Sequence, residues 1–358
     1  MNNAIRLTDW AKQHDVEYHK ALRAARNGHL IGARKAGDNW YVPAGAFILD
    51  PPPTGKDRRV EIMGRRVTHP RLPAIRASTR GRPVIITTYN YAGGSGKTTV
   101  ARDLAVLFAA AGNKVLLVDT DPQASLTQWL DVPRPDSKAT IFATYASDED
   151  VPPLAPVVEL DPNLHLIPSV MDLAALERYL HNEPHQIANL HDAIVNSPAG
   201  YDIALIDSPP SLGQITVGNV VAADYVLVPI EGSAKGLEGL LSLFKNFSEL
   251  QRLKVRYLRE RRPVSVASLV PTRLESRLNF TDELGRALEA VSNKLSAPLS
   301  PPLFSRPSAY TKATSERVPI PLLPRRDSTV RAAADEIRNV ATFVLDQIIE
   351  REKEAFRE

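Results

Sequence analysis

The run Asn90-Tyr91-Ala92-Gly93-Gly94-Ser95-Gly96-Lys97-Thr98-Thr99 carries the densest chemistry of the chain. Gly93, Gly94 and Gly96 allow the backbone to curl around Ser95 until successive N–H groups converge, which is how a peptide cradles phosphate oxygens. Lys97 adds a point charge for β- and γ-phosphates, and the Thr98 hydroxyl can enter a Mg²⁺ shell. Thr99 is placed for an α-phosphate. These residue types in this order point to a nucleoside triphosphate held with Mg²⁺. Asp119, Asp121 and Asp207 stand in two further short segments, and a carboxylate near a γ-phosphate can orient or deprotonate an attacking water.

Such a loop works only between particular elements. Val84-Ile85-Ile86-Thr87-Thr88 is a β-branched run that reads as a buried strand. A helix is expected from the loop to about Ala111, closed by Gly112, with a second strand at Lys114-Val115-Leu116-Leu117-Val118. Strand, glycine-rich loop, helix and strand form the setting a phosphate loop requires, and its helix N-terminus adds partial positive charge. The spacing predicts an α/β fold, a P-loop NTPase with a mainly parallel central sheet flanked by helices. Val264–Val270 reads as another core strand, and a C-terminal helix is expected from about Ser328.

The ordinary motif G-x-x-x-x-G-K-[ST] would place its first glycine at Tyr91. The spacing instead resembles the deviant motif K-G-G-x-G-K-T of the ParA/MinD family of partition and positioning ATPases. Val118-Asp119-Thr120-Asp121-Pro122-Gln123 is similar to that family's D-x-D-P-Q switch. Ala204-Leu205-Ile206-Asp207-Ser208-Pro209-Pro210 is similar to its Walker B strand, and Ala222-Ala223-Asp224-Tyr225-Val226-Leu227-Val228-Pro229 to the strand that follows.

The resemblance implies ATP and Mg²⁺ as cofactors, Asp121 as the residue acting on the water, and Asp207 as the residue holding the metal region. It gives Asp119 a supporting role for metal or switch, and puts Pro271 and Thr272 near the adenine. It implies Arg306, in Phe304-Ser305-Arg306, as a contact to the DNA backbone, with Lys312 beside it. The family's signature lysine falls on Ala92, which cannot reach a partner subunit's phosphates. Lys235, opening a helix after the Pro229 strand, is the residue expected to replace that charge.

The N-terminal segment reads differently. A short helix from Leu7 with Thr8 or Asp9 as cap, and a second over about Glu17 to Asn27, precede two strands around Gly37-Asp38. This outline resembles excisionase- and MerR-like winged helix-turn-helix domains, which implies Arg23, Arg34 and Lys35 as DNA contacts. A small interaction or dimerisation unit with a basic face is the competing reading. Between Pro51 and Pro83 nine basic residues are opposed only by Asp57 and Glu61, among repeated prolines. This stretch is expected to be a flexible linker suited to polyanions, or simply a solvated tether.

The length of 358 residues is expected to hold a helix-turn-helix domain at 1–50, the linker at 51–82 and an ATPase domain at 83–358. The absence of cysteine excludes disulfide scaffolds, cysteine nucleophiles and cysteine-ligated clusters. With no apolar run near the roughly 20 residues that span a bilayer, and no signal-peptide core in the first residues, a cytoplasmic, nucleoid-associated protein is expected. The function expected from the resemblance is a partition ATPase for plasmid or chromosome. Its ATP-dependent homodimer would bind nonspecific DNA, release it when a ParB-like partner stimulates hydrolysis, and use the N-terminal domain on an operator. A nucleotide-switched transcriptional regulator and a positioning ATPase for a protein cargo are the alternatives.

Overall fold

A computed structural model describes residues 4–14, 16–26, 30, 33–36, 39–43, 58–69, 75, 79, 81–258, 263–274 and 284–355. They fall into two compact units divided after Asp57.

The smaller unit is a three-stranded antiparallel sheet with two helices. Strand β1 (Ala4–Arg6) pairs with β3 (Asn39–Pro43), which also pairs with β2 (Arg34–Ala36). The helices span Leu7–Gln13 and Tyr18–Arg26. Leu7, Trp10 and Ala11 lie one helical turn apart, and they meet Ala21, Ala25, Leu30 and Val42 in a small core. One local expectation changes here. The first helix is entered from Arg6 with no side-chain cap, so Thr8 and Asp9 sit inside its first turn. Strand β2 begins at Arg34, and Leu30 ahead of it is buried in the core. Strand β1, too short to show periodicity, extends the hairpin. Gly28, Gly37 and Asp38 lie outside the described residues.

The larger unit begins with the segment expected to be a linker, and here the structure differs. Arg58–Ile62 (β4) and Arg65–His69 (β5) form a hairpin across Met63 and Gly64, both at positive φ. That conformation is the two-residue turn whose twist suits a hairpin. Ile62 and Val67 are buried with Ile75 in the main core, and Met63 N donates to Asp161 Oδ2 at 3.1 Å. Ile75 N donates to Asn113 Oδ1 at 3.0 Å. The alternation of valine and isoleucine with charged and polar residues gives this hairpin an apolar inner row, so it packs on the larger unit instead of remaining a tether.

Seven strands then make one sheet in the order β12-β11-β6-β10-β7-β9-β8. They are β6 (Val84–Thr88), β7 (Val115–Asp119), β8 (Val158–Asp161), β9 (Leu164–Ile167), β10 (Ile203–Asp207), β11 (Tyr225–Glu231) and β12 (Ser265–Thr272). Every pairing is parallel except β8 with β9. The central strands are apolar on both faces. Ile86, Leu117 and Leu205 enter the core that holds the helices Lys97–Ala110 and Ser328–Ala355. Ile85, Leu116 and Ala204, one residue out of step, enter the core on the opposite face. The sheet is therefore a buried middle layer whose strand ends place the loops.

Asp224 shows how one polar group pins this frame. Its carboxylate accepts from Ile85 N and Arg82 Nη2, both at 2.9 Å, while Lys254 Nζ stands 3.9 Å away. A buried charge so surrounded is satisfied, and it locks the turn before β11 to β6.

Candidate nucleotide site

The site is assembled at the C-terminal ends of β6, β7, β10 and β12. Strand β6 runs into the glycine-rich loop, and the helix Lys97–Ala110 opens on Gly96, at φ 94°. Gly94 is at φ 77°. A Cβ at Gly94 would lie 3.3 Å from Arg273 Nη1, and one at Gly96 would lie 3.3 Å from Thr272 Cγ2, so the positive φ favours glycine and the space beside it is tight. Asn90 holds the entry to the loop, donating to Pro229 O at 2.6 Å and accepting from Ala92 N at 2.9 Å. Thr272 holds its middle, donating to Ser95 O at 2.8 Å.

A cavity of about 920 Å³ opens over this loop, lined by residues from Gly93 through Thr99, with Asp121 at one side and Thr272 and Arg273 at another. Its far wall is Leu303–Pro307 and the face of the following helix that carries Tyr310, Thr311 and Thr314.

Lys97 is buried and its Nζ donates to Ala92 O at 3.1 Å. Burial lowers its pKa, while Asp207 and Asp121 act to raise it. Asp207 is fully buried; Oδ1 accepts from Thr88 Oγ1 at 3.2 Å, and the nearby Thr98 side chain acts to lower its pKa. Its Oδ2 has no partner among the described residues. Burial, with Asp119 adding repulsion, pushes the Asp207 pKa up to about 8. An orphaned buried carboxylate oxygen beside a threonine hydroxyl and a lysine fits a divalent cation, which would supply the missing positive charge.

Asp119 is engaged on both oxygens. Oδ1 accepts from Asp121 N at 3.1 Å, and Oδ2 accepts from Thr127 N at 2.9 Å and Thr127 Oγ1 at 2.7 Å. Burial pushes its pKa up to about 7. These bonds tie the end of β7 to Asp121 and to the short helix Ser125–Trp129, so both oxygens of Asp119 are engaged in bracing this turn. Asp121 is left facing the cavity, with Oδ1 accepting from Gln123 N at 2.9 Å and its carbonyl held by Ser169 Oγ at 2.7 Å.

The structure thus brings Gly93, Gly94, Ser95, Gly96, Lys97, Thr98, Thr99, Asp121 and Thr272 to one cavity, with Asp207 buried beneath the loop. Pro271 does not join them, because its place in β12 opposite Ile230 leaves it buried in the sheet. Arg306 joins unexpectedly. It lines the cavity, and Nε and Nη2 donate to Glu336 Oε1 at 3.0 and 2.6 Å, so it is an ion-paired wall residue here. Lys312 stands 3.9 Å from Glu316, and Arg317 and Arg325 pair with Asp131 and Asp335. Lys235 lies in the first turn of the helix Ala234–Leu258, and Arg23 and Arg34 lie on their expected helix and strand; their side chains are outside the described residues. Lys35 is exposed on β2. Arg273 and Arg102, both lining the cavity, were not expected from the sequence. The positive φ of 54° at Arg273 aims the chain back at Gly94, and nothing local in the sequence signals that turn.

Comparison with known proteins agrees with this geometry. A family model described as an AAA domain matches residues 84–259. A probable plasmid-partitioning protein ParA of Thermus thermophilus is 34% identical over 267 residues, covering 74% of this chain and 79% of that protein. The sporulation initiation inhibitor protein Soj of Bacillus subtilis is 29% identical, covering 72% of this chain and 98% of Soj. Among solved structures, the ATP complex of Cyanothece McdA(D38A) superposes with a TM-score of 0.61 at 23% identity, over 75% of this chain and 96% of McdA, a likeness of fold. With a ParA relative 34% identical and covered over 79% of its length, and with a P-loop α/β fold, this chain belongs to the ParA/MinD family of P-loop ATPases.

Proposed function

We propose that this chain is a ParA-type ATPase of a DNA-partition system, binding ATP with Mg²⁺ and hydrolysing it. The observation that carries the reading is the convergence of Lys97, Thr98, Asp207 and Asp121 on the glycine loop at the ends of adjacent strands. In this reading the loop amides and Lys97 grip the triphosphate. Thr98 and Asp207 hold the Mg²⁺ region, and the metal supplies charge neutralisation for the leaving phosphate. Asp121 orients the water. The Asp119–Thr127 bonds keep Asp121 in place.

ATP favours a homodimer that binds nonspecific DNA, and a ParB-like partner stimulates hydrolysis and release. Lys235 takes the position of the cross-subunit cation that Ala92 cannot supply. Arg306, with Lys312 beside it, meets the DNA backbone in this reading, phosphates replacing Glu336 on the guanidinium. The smaller unit, two helices on a three-stranded sheet with Lys35 exposed, is read as a winged helix-turn-helix that recognises an operator, its wing cations meeting phosphates. Among the described residues no helix is long and apolar enough to cross a membrane.

Phosphate release tests the motor. It is expected to rise with DNA and the partner together, and to fall in Lys235→Ala along with ATP-dependent dimerisation. Unstimulated turnover would leave a nucleotide-switched regulator. Alanine at the signature-lysine position favours one second reading, a positioning ATPase for a protein cargo, in which turnover responds to a cargo adaptor and not to a centromere-binding protein.

A further inference from the structure

Arg102 stands out in the wall of the cavity. It follows Thr98 by one helical turn on the helix Lys97–Ala110, is 1% exposed, and borders the nucleotide cavity. Its Nε donates to Asp103 Oδ1 at 2.9 Å, and Asp103 Oδ1 also accepts from Ile320 N at 3.2 Å. Its Nη1 is buried with no hydrogen-bond partner among the described residues. Its guanidinium carbon lies 5.6 Å from the centroid of the Trp129 ring.

Trp129 is the last residue of the helix Ser125–Trp129, which Pro122, Gln123 and Ala124 join to Asp121. That helix is held at two points, at Thr127 by Asp119 and at Trp129 by Arg102. The first hold comes from the sheet and is rigid. The second comes from the phosphate-loop helix and rests on a guanidinium with an open donor. A buried arginine with an unpaired N–H is costly, so a polyanion in the cavity draws the guanidinium to turn toward it, and the gain is largely offset by the Trp129 contact given up, which leaves Arg102 a small net share of the affinity. A cation–π contact depends on the guanidinium's placement over the ring and changes when the cation is re-aimed.

We infer that Arg102 is a positioning residue that couples nucleotide occupancy to the switch: when the cavity fills, its guanidinium re-aims and Trp129 carries the helix that sets Asp121. This rests on the nucleotide reading and adds to it a route from the phosphate-loop helix to the water-orienting carboxylate. Asp103 anchors Arg102 throughout, and keeps the charge neutralised in both arrangements.

The full chain holds three tryptophans, so 5-fluorotryptophan labelling and ¹⁹F NMR give three resonances, with Trp129 assigned by its loss in Trp129→Phe. Calorimetry on the same samples measures ATP affinity separately. In the wild type, MgATP is expected to shift the Trp129 resonance. In Arg102→Met/Asp103→Asn, which removes the ion pair without stranding a buried carboxylate, ATP binds within about fivefold of wild type. There the Trp129 shift is lost and kcat falls about tenfold with KM little changed. Trp129→Leu leaves the ion pair intact and is expected to show the same kcat-only loss, which keeps the test open should the double variant fold poorly. An unmoved Trp129 resonance in wild type that binds ATP overturns the coupling and leaves the nucleotide reading standing. A full shift with unchanged kcat in the double variant does the same, as does unchanged kcat in Trp129→Leu. No ATP heat in the wild type overturns both.

Discussion

At the scale of single residues, the site is a set of charges held at the wrong energy until a ligand arrives. Asp207 and Asp119 are buried with pKa values pushed up to about 8 and about 7, and Lys97 is buried with its pKa lowered. For the carboxylates the native state binds protons more tightly than the unfolded chain, so their stabilising contribution is full below about pH 4 and is lost as pH rises towards 8. The nucleotide-free protein is therefore expected to lose thermal stability between pH 5 and 8.5, measured by calorimetric or fluorescence melting. Asp207→Asn is expected to flatten much of that slope while abolishing Mg²⁺-dependent hydrolysis. An unchanged slope in the variant would remove Asp207 from the account. The residues of the glycine loop and the three aspartates were legible in the sequence because their chemistry follows from type and spacing. The partners were not. Nothing local says that Asp119 spends both oxygens on Asp121 and Thr127, or that Arg306 meets Glu336 across 30 positions.

At the scale of elements, strands and helices of the larger unit follow from long β-branched runs and from Gly112 closing the phosphate-loop helix at φ 91°. The hairpin β4–β5 did not, because its charge and neighbouring prolines mask an apolar row of only a few side chains. Val60, Ile62 and Val67 alternate with charged and polar residues, and a composition-based reading sees the charge. Tertiary burial decides the matter. Ile62, Val67 and Ile75 each exclude water from the core beside the phosphate-loop helix, at about 1.5–3 kcal/mol apiece. A chain beginning at Arg58 is thus expected to melt close to the full chain's ATPase transition. One beginning at Pro83 is expected to lose on the order of 5 kcal/mol, a large share of a domain's stability. Equal melting of the two chains, followed by differential scanning calorimetry, would return residues 58–82 to the role of a tether.

At the scale of the whole molecule, two compact units with separate cores meet in sequence between Asp57 and Arg58. Separate cores allow separate tasks. Deleting Met1–Asp57 is expected to abolish a sequence-specific gel shift on operator DNA while leaving ATP-dependent, salt-sensitive binding to random DNA within about threefold. A specific shift that survives the deletion would take operator reading away from the smaller unit.

The account stands or falls on the grip of the glycine loop on a triphosphate. Isothermal titration of ATP into the full chain, with and without Mg²⁺ and beside Lys97→Ala, measures it directly. Saturable binding that requires Mg²⁺ and weakens by at least about tenfold in Lys97→Ala is the predicted result, since that substitution removes a charge-assisted contact. Binding that ignores both the metal and Lys97, or no binding at all, would contradict it.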